Sequence, residues 1–289
     1  MKLSTIPVRV VGAGSQPEDD EPLQYLATPR EMDTFRMPSI PERADARALA
    51  DSRELLLSLL AAMEEWNPTL EMPTPRVTLD GIAESTVAIT NEMLGEGEVS
   101  IRIDGARPVR IQESVFSGIW RVCELDSDGR LSHDYIEAGV MPRIVMEAAH
   151  AAAATVRPAE SMPDGAMNSP ALLHEIEANT RERRPGMPSR VINLSLFPLT
   201  PEDHGVLEEA LPVGPVAIMS RGFGHCLITS TGARDVWRVQ YFNSMNTLIL
   251  NTMEIVDAPE VALAGPEDLA DSKERLAELI AWMGEPGYA

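Results

Sequence analysis

Residues 211–239 read LPVGPVAIMSRGFGHCLITSTGARDVWRV, and residues 94–122 read LGEGEVSIRIDGARPVRIQESVFSGIWRV. At an offset of 117 they share Leu94/Leu211, Gly97/Gly214, Val99/Val216, Ile101/Ile218, Gly105/Gly222, Ile111/Ile228, Trp120/Trp237, Arg121/Arg238 and Val122/Val239. Nine identities in 29 ungapped positions compare with roughly one in fifteen by chance at ordinary composition. The same offset pairs Glu137 with Glu254 and Pro142 with Pro259, and backwards it pairs Leu55-Leu56 with Leu172-Leu173. The pattern is that of an internal duplication of a unit of about a hundred residues, too few copies for a solenoid. It predicts an α+β fold of two pseudo-symmetric lobes, each a mostly antiparallel sheet flanked by helices. The expected organisation is an extended N-terminal arm (1–42), a first repeat (43–157), a linker (158–170) and a second repeat (171–289).

The two copies differ in charge. Residues 94–136 carry eight acidic and five basic residues, a net of −3; residues 211–253 carry three arginines and one aspartate, a net of +2. The second copy therefore has a nearly uncharged coat in a chain whose formal charge is −21. Met219, Phe223, Tyr241 and Phe242 in that copy are either a partner-binding face or residues buried against the other lobe, since exposed apolar patches are seldom idle. Arg221, Arg234 and Arg238 lie among them and suit recognition of acidic or carbonyl groups.

The charge of −21 and a pI near 4.6 argue against a nucleic-acid partner, which needs a basic face. Residues 1–22 contain no unbroken apolar core of a signal peptide. The most apolar stretch, Leu55–Met63, is far below the ~20 residues of a membrane helix, so no membrane insertion is expected. Two cysteines, Cys123 and Cys226, give no disulfide framework and suit the cytoplasm. The offset does not relate them, so symmetry supplies no reason to pair them.

Along the chain, residues 6–11 open into a loop at Gly12-Ala13-Gly14. It fails the dinucleotide fingerprint because Pro17 stands at the third glycine position and Glu18–Glu21 would repel a pyrophosphate. Helical spacing of Leu49, Leu56, Leu59, Leu60 and Met63 predicts a helix from Ala44 to Trp66. A strand near Val77, a helix over 82–93, and strands at 99–103, 109–112, 118–125 and 131–138 follow, with Asp128-Gly129 marking a hairpin turn. Pro142 opens an alanine-rich helix to about Val156, and residues 158–170 read as a hinge. The second repeat runs helix 171–183, strand 191–194, a helix capped at Thr200-Pro201-Glu202-Asp203, strands over 216–254, and a closing helix 266–283 as the counterpart of the alanine-rich one.

No nucleophile elbow, phosphate loop or zinc helix is present. His204 reads as a helix-start residue. His225-Cys226 are the candidate metal ligands, but adjacent strand residues point to opposite faces and converge on one ion only through a bulge. Trp120 and Trp237 read as matched core residues.

Several stretches resemble the HupH/HyaF family of hydrogenase expression proteins: GAGSQP at 12–17 followed by Asp19-Asp20, LGEGEVSI at 94–101, GIWRV at 118–122 and DGAMNSPALL at 164–173. NLSLFPLT at 193–200, PVGPVAI at 212–218, TGARDVWRV at 231–239, PEVAL at 259–263 and PEDL at 266–269 carry the same resemblance. It implies a non-enzymatic cytoplasmic maturation factor for uptake NiFe-hydrogenases. The implied partners are the precursor of the iron–sulfur small subunit and a thioredoxin-like accessory protein; no cofactor and no catalytic residue are implied. Two alternatives stand beside it: an iron or iron–sulfur carrier, and a scaffold for the thioredoxin-like factor.

Overall fold

Ile101 and Ile218, 117 residues apart, lie opposite each other in the middle of one sheet. The structure, a computed structural model, describes residues 45–67, 72–151, 153–154, 156, 162–222 and 225–285. The expected arm (1–42), the loop at Gly12–Pro17 and Phe223 lie outside the described residues.

The first half contains α1 (Ala46–Glu65), β1 (Arg76–Thr78), α2 (Glu84–Leu94), β2 (Val99–Ile103), β3 (Val109–Glu113), β4 (Ile119–Leu125), β5 (Leu131–Ala138) and α3 (Arg143–Ala151). The second contains α4 (Ser169–Glu182), β6 (Arg190–Asn193), a 3-10 turn at Leu194–Leu196, α5 (Pro201–Ala210), β7 (Val213–Ser220), β8 (His225–Thr231), β9 (Val236–Phe242), β10 (Leu248–Ile255) and α6 (Pro266–Trp282). The strand order is β1-β5-β4-β3-β2-β7-β8-β9-β10-β6, every neighbouring pair antiparallel. Read outward from the centre, the two halves use their strands in the same sequence. The central register repeats this relation: Val99 faces Ser220 and Ile103 faces Val216, and a shift of 117 exchanges the two pairs.

The expectation of two lobes, each with its own sheet, is thus corrected to a single ten-stranded sheet to which each half contributes five strands. β2 and β7 would each be an edge strand in an isolated half, with a row of unpaired backbone groups, and pairing with each other removes both edges. Each half begins its first central strand with a close approach that only glycine permits. A Cβ on Gly97 would collide with the Ser114 carbonyl, and one on Gly214 with Ser230 and the Thr231 carbonyl.

Strand alternation sorts side chains onto two faces. One face is packed: Val99, Ile101, Ile103, Ile111, Trp120, Val122, Val216, Ile218, Ile228, Trp237 and Val239 form a continuous core under α3 and residues 258–262. Trp120 and Trp237 are both buried. Their indole N–H groups donate to the carbonyls of Gly139 (2.9 Å) and Asp257 (3.1 Å). At about 200 Å² of ring surface each, burial contributes roughly 5 kcal/mol gross per tryptophan.

Among the described residues, helices cover the other face only at its ends. At the β1 end, α1 and α2 pack Leu49, Leu56, Leu59 and Met93 on Ile119, Ile136 and Ala138. At the β6 end, α4 and α5 pack Leu172, Ile176, Val206 and Leu207 on Val236, Met253 and Ile255. The closing helix does not act as the counterpart of α3. Instead α6 lays Leu276, Ile280 and Met283 into the first half's helical core, and Arg53 Nε donates to the Ile280 carbonyl at 3.0 Å. The reason is spacing: the offset maps 266–282 onto 149–165, where α3 has ended at Ala151 rather than Val156.

The hinge reading of 158–170 also changes. Residues 157–161 lie outside the described residues, but Ser169 and Pro170 belong to α4. The amides of Met167, Asn168 and Ser169 donate to Asp203 Oδ1 at 2.8, 3.0 and 2.9 Å. The Ser169 hydroxyl adds a bond at 2.8 Å, and Asp203 Oδ2 takes the Thr200 amide at 3.1 Å. One buried carboxylate therefore ties the starts of α4 and α5 together. Burial works to raise its pKa, and the Ser169, Thr200 and Asn168 donors outweigh that, holding it below the usual carboxylate range.

Candidate functional site

Between the helices at its two ends, the second face of the sheet is open: no described element packs on that side of β3, β2, β7 and β8. Two rows of side chains cross it from half to half. One runs Cys123, Arg110, Arg102, Ala217, Thr229, Arg238 and the other Arg121, Gln112, Ser100, Met219, Leu227, Gln240, each residue opposite the next in the ladder. A shift of 117 turns the first-half members of each row into second-half members of the other. Along that shift Arg102 becomes Met219, Arg110 becomes Leu227 and Ser100 becomes Ala217. The first-half side of the floor is polar and cationic; at the centre of the second-half side Ala217, Met219 and Leu227 stand beside Thr229.

The two ends of the floor are held by matched arginines. Under α2, Arg121 donates through Nε to Asn91 Oδ1 (2.9 Å) and forms an ion pair with Asp134. Under α5, Arg238 donates to Asn251 Oδ1 (3.2 Å) and faces the Glu208 carboxylate. Asn91 and Glu208 are 117 apart, as are Asp134 and Asn251. The acid thus sits on the strand in one half and on the helix in the other. Burial lowers the pKa of both arginines. His204, beside Arg238, is lowered by burial and then by the guanidinium charge, so it is neutral near pH 7.

The residues expected to form a partner face are divided by the structure. Met219, Arg238 and Phe242 lie on the open face, Met219 central and half-buried, Phe242 at the strand end opposite His225. Arg221 follows β7 at that same end, its amide donating to the Glu98 carbonyl at 3.2 Å. Tyr241 points to the packed face, where it packs against the core and hydrogen-bonds Cys226; strand alternation places it opposite its neighbour Phe242. Arg234 stands exposed in the β8–β9 turn at the far end of the strands, near Asp235 (3.8 Å). Phe223 lies outside the described residues.

His225 is exposed, with Nδ1 at 3.2 Å from Asn246 Oδ1, while Cys226 is buried on the packed face. The pair does not converge on one ion, and among the described residues no group of three metal-ligating side chains forms. Burial pushes the Cys226 thiol up to about 11 and the Tyr241 hydroxyl up to about 12. Both cysteines are free. No helix among the described residues is long and apolar enough to cross a membrane.

Sequence reasoning missed Leu227 and the Arg102/Arg110 pair. The signal was available: a β2–β3 hairpin that pairs Ile101 with Ile111 necessarily sets Arg102 against Arg110. A second apolar feature also escaped it, at the corner where β10 meets the 3-10 turn. Leu196, Met245 and Ile249 are 77%, 78% and 61% exposed. Met245 and Ile249 stand where the first half has Asp128 and Ser132.

Comparison with known proteins adds the family. The model described as "HupH hydrogenase expression protein, C-terminal conserved region" matches residues 49–162 and 166–283, two stretches whose starts are 166 − 49 = 117 residues apart. The chain is 43% identical to the hydrogenase expression/formation protein HoxQ of Cupriavidus necator, over 96% of this chain and 98% of that one. It is 42% identical to hydrogenase expression/formation protein HupH of Rhizobium leguminosarum bv. viciae over 66% of this chain and 68% of that one. It is 33% identical to the hydrogenase-1 operon protein HyaF of Escherichia coli, over 96% of each chain. A family model covering most of the residues, together with relatives matched nearly end to end, means that the chain belongs to the HupH family of hydrogenase expression/formation proteins.

Proposed function

We propose that this protein is a non-enzymatic assembly factor that holds the immature iron–sulfur small subunit of an uptake hydrogenase on the open face of its sheet. The reading places it in the cytoplasm, before export of that subunit, with a thioredoxin-like accessory protein beside it. Its relatives are named for hydrogenase expression and formation, which supports a maturation role. The observation that carries the surface is the Met219/Leu227 pair: two cross-strand apolar side chains on a floor that no described helix covers, standing where the first half has arginines. Both side chains are half-buried, and apolar residues on a sheet face between two helical walls are characteristic of partner sites.

The organisation belongs to the same reading. The two halves are taken as copies of one unit, fused through β2 and β7, of which the second gave up charge on this face. The repeat of the family match at 117 residues and the repeat of strand order support it.

The test is capture of the small-subunit precursor by the tagged full chain in cells, comparing wild type with M219D/L227D. Capture should fall at least tenfold while folding, checked by circular dichroism, is retained. Undiminished capture by a folded M219D/L227D protein would refute the assignment of this face.

A further inference from the structure

The four floor strands leave an incoming polypeptide one way to bind. β3, β2, β7 and β8 each have a hydrogen-bonded neighbour on both sides, so no edge is free to accept an added strand. A chain laid on this floor must satisfy its own backbone groups, and a helix does so internally. The space agrees. α2 sits over β4 through Asn91 and Arg121, and α5 over β9 through Glu208 and Arg238. Four strands about 4.8 Å apart span ~14 Å between β3 and β8, room for one helix of ~10–12 Å diameter with its side chains.

The chemistry of the floor then fixes the helix's two flanks. Arg102 and Arg110 lie directly opposite each other across β2 and β3, pointing to the same face. Like charges in that relation destabilise a sheet unless an anion is shared between them. Arg102 meets Asp104 at the rim (3.1 Å), but Asp104 is itself mostly exposed, and Arg110 is exposed with no carboxylate partner among the described residues. Two cross-strand arginines in an acidic chain thus line one side of the slot, and Ala217, Met219 and Leu227 line the other.

We infer that the slot between α2 and α5 receives one amphipathic α-helix of a client polypeptide, its apolar side on Ala217, Met219 and Leu227 and a row of carboxylates over Arg102 and Arg110. This rests on the open face being the client surface and adds what the client presents to it. The selection runs against the protein's long-range field, since a net charge of −21 repels an acidic helix at a distance. Preference for acid therefore has to come from the local arginines.

Fluorescence anisotropy of the full chain with three labelled peptides tests it. The probes are an 18-residue helical peptide with a Leu/Met stripe and glutamates along one flank, the same peptide with lysines on that flank, and the glutamate peptide broken by two central prolines. The glutamate helix should bind at least tenfold more tightly than either of the others. R102E/R110E and R102Q/R110Q should each remove the glutamate preference and leave the field of the acidic chain to favour the lysine helix, R102E/R110E the more strongly; thermal melts check both variants for folding. No binding, equal binding of glutamate and lysine helices, undiminished binding of the proline peptide, or a preference unmoved by either folded double variant would each overturn the inference. If the peptides behave as expected while M219D/L227D still captures the small-subunit precursor, the helix slot stands and the assignment of the small subunit to this face falls.

Discussion

Asp203→Asn is the substitution whose cost the geometry defines best. The wild-type carboxylate accepts four bonds at Oδ1, from three consecutive amides and the Ser169 hydroxyl, and one at Oδ2 from the Thr200 amide. Asparagine keeps an oxygen for the four but sets an N–H₂ group against the Thr200 N–H, donor against donor. Exchanging charged for neutral acceptors loses about 1 kcal/mol per bond, not fully additive, and one buried donor left without a partner costs roughly 1–3 kcal/mol more. The expected destabilisation is ~3–5 kcal/mol in urea unfolding at pH 7, read as a midpoint shift at constant slope. The pH dependence follows from the depressed folded pKa. Stability from this group is fully present above the unfolded aspartate value of about 3.9 and is lost as pH falls below it towards the folded value. Wild type should thus lose its advantage over D203N on acidification below pH 4. A D203N cost under ~1 kcal/mol at pH 7, or a difference that does not shrink with acid, would refute the view that this carboxylate clamps α4 to α5.

Glu113 has the opposite sign: burial raises its pKa against the Gly118 and Ser117 donors, so the fold disfavours its charge above about pH 4.3. E113Q should match or exceed wild-type stability at pH 7.5 and lose that gain at pH 4, in parallel melts. Gly97→Ala drives a Cβ into the Ser114 carbonyl and should cost about 2–4 kcal/mol; a chemical denaturation curve with an unshifted midpoint would contradict the close approach of β2 to that loop. Cys226, buried with its thiol pushed up to about 11, should resist iodoacetamide at pH 8 in the native protein and react at once in urea, with mass spectrometry as readout.

Most of the fold is visible in residue pattern because the same pattern occurs twice. The alternation Val99-Ser100-Ile101-Arg102-Ile103 defines β2, the offset carries it to β7, and β9 and β10 are the 117-residue images of β4 and β5. Joining the halves into one sheet is not visible locally: it depends on two edges meeting, and an edge strand reads the same from sequence whether or not it finds a neighbour. The placement of α6 is likewise tertiary, since a stripe of Leu276, Ile280 and Met283 fits any apolar surface and α1 happens to supply one. For the candidate site, low charge pointed to the second half, but single residues were assigned without regard to face. Tyr241 and Phe242 are adjacent and so had to diverge, and Arg234 and Arg221 stand at opposite ends of their strands. Applying strand parity to the duplicated register would have replaced Tyr241 by Leu227 and brought Arg102 and Arg110 into view.

The ladder between β2 and β7 is self-complementary in register, Ile101 to Ile218 with its flanks exchanged by the shift. An isolated β2 or β7 would therefore present an edge whose register complements itself, Ile101 to Ile101 or Ile218 to Ile218. Tethering the halves in one polypeptide makes the meeting of two such edges intramolecular. It also frees the platform from having to be identical on its two sides, so that one flank can stay ionic while the other turns oily.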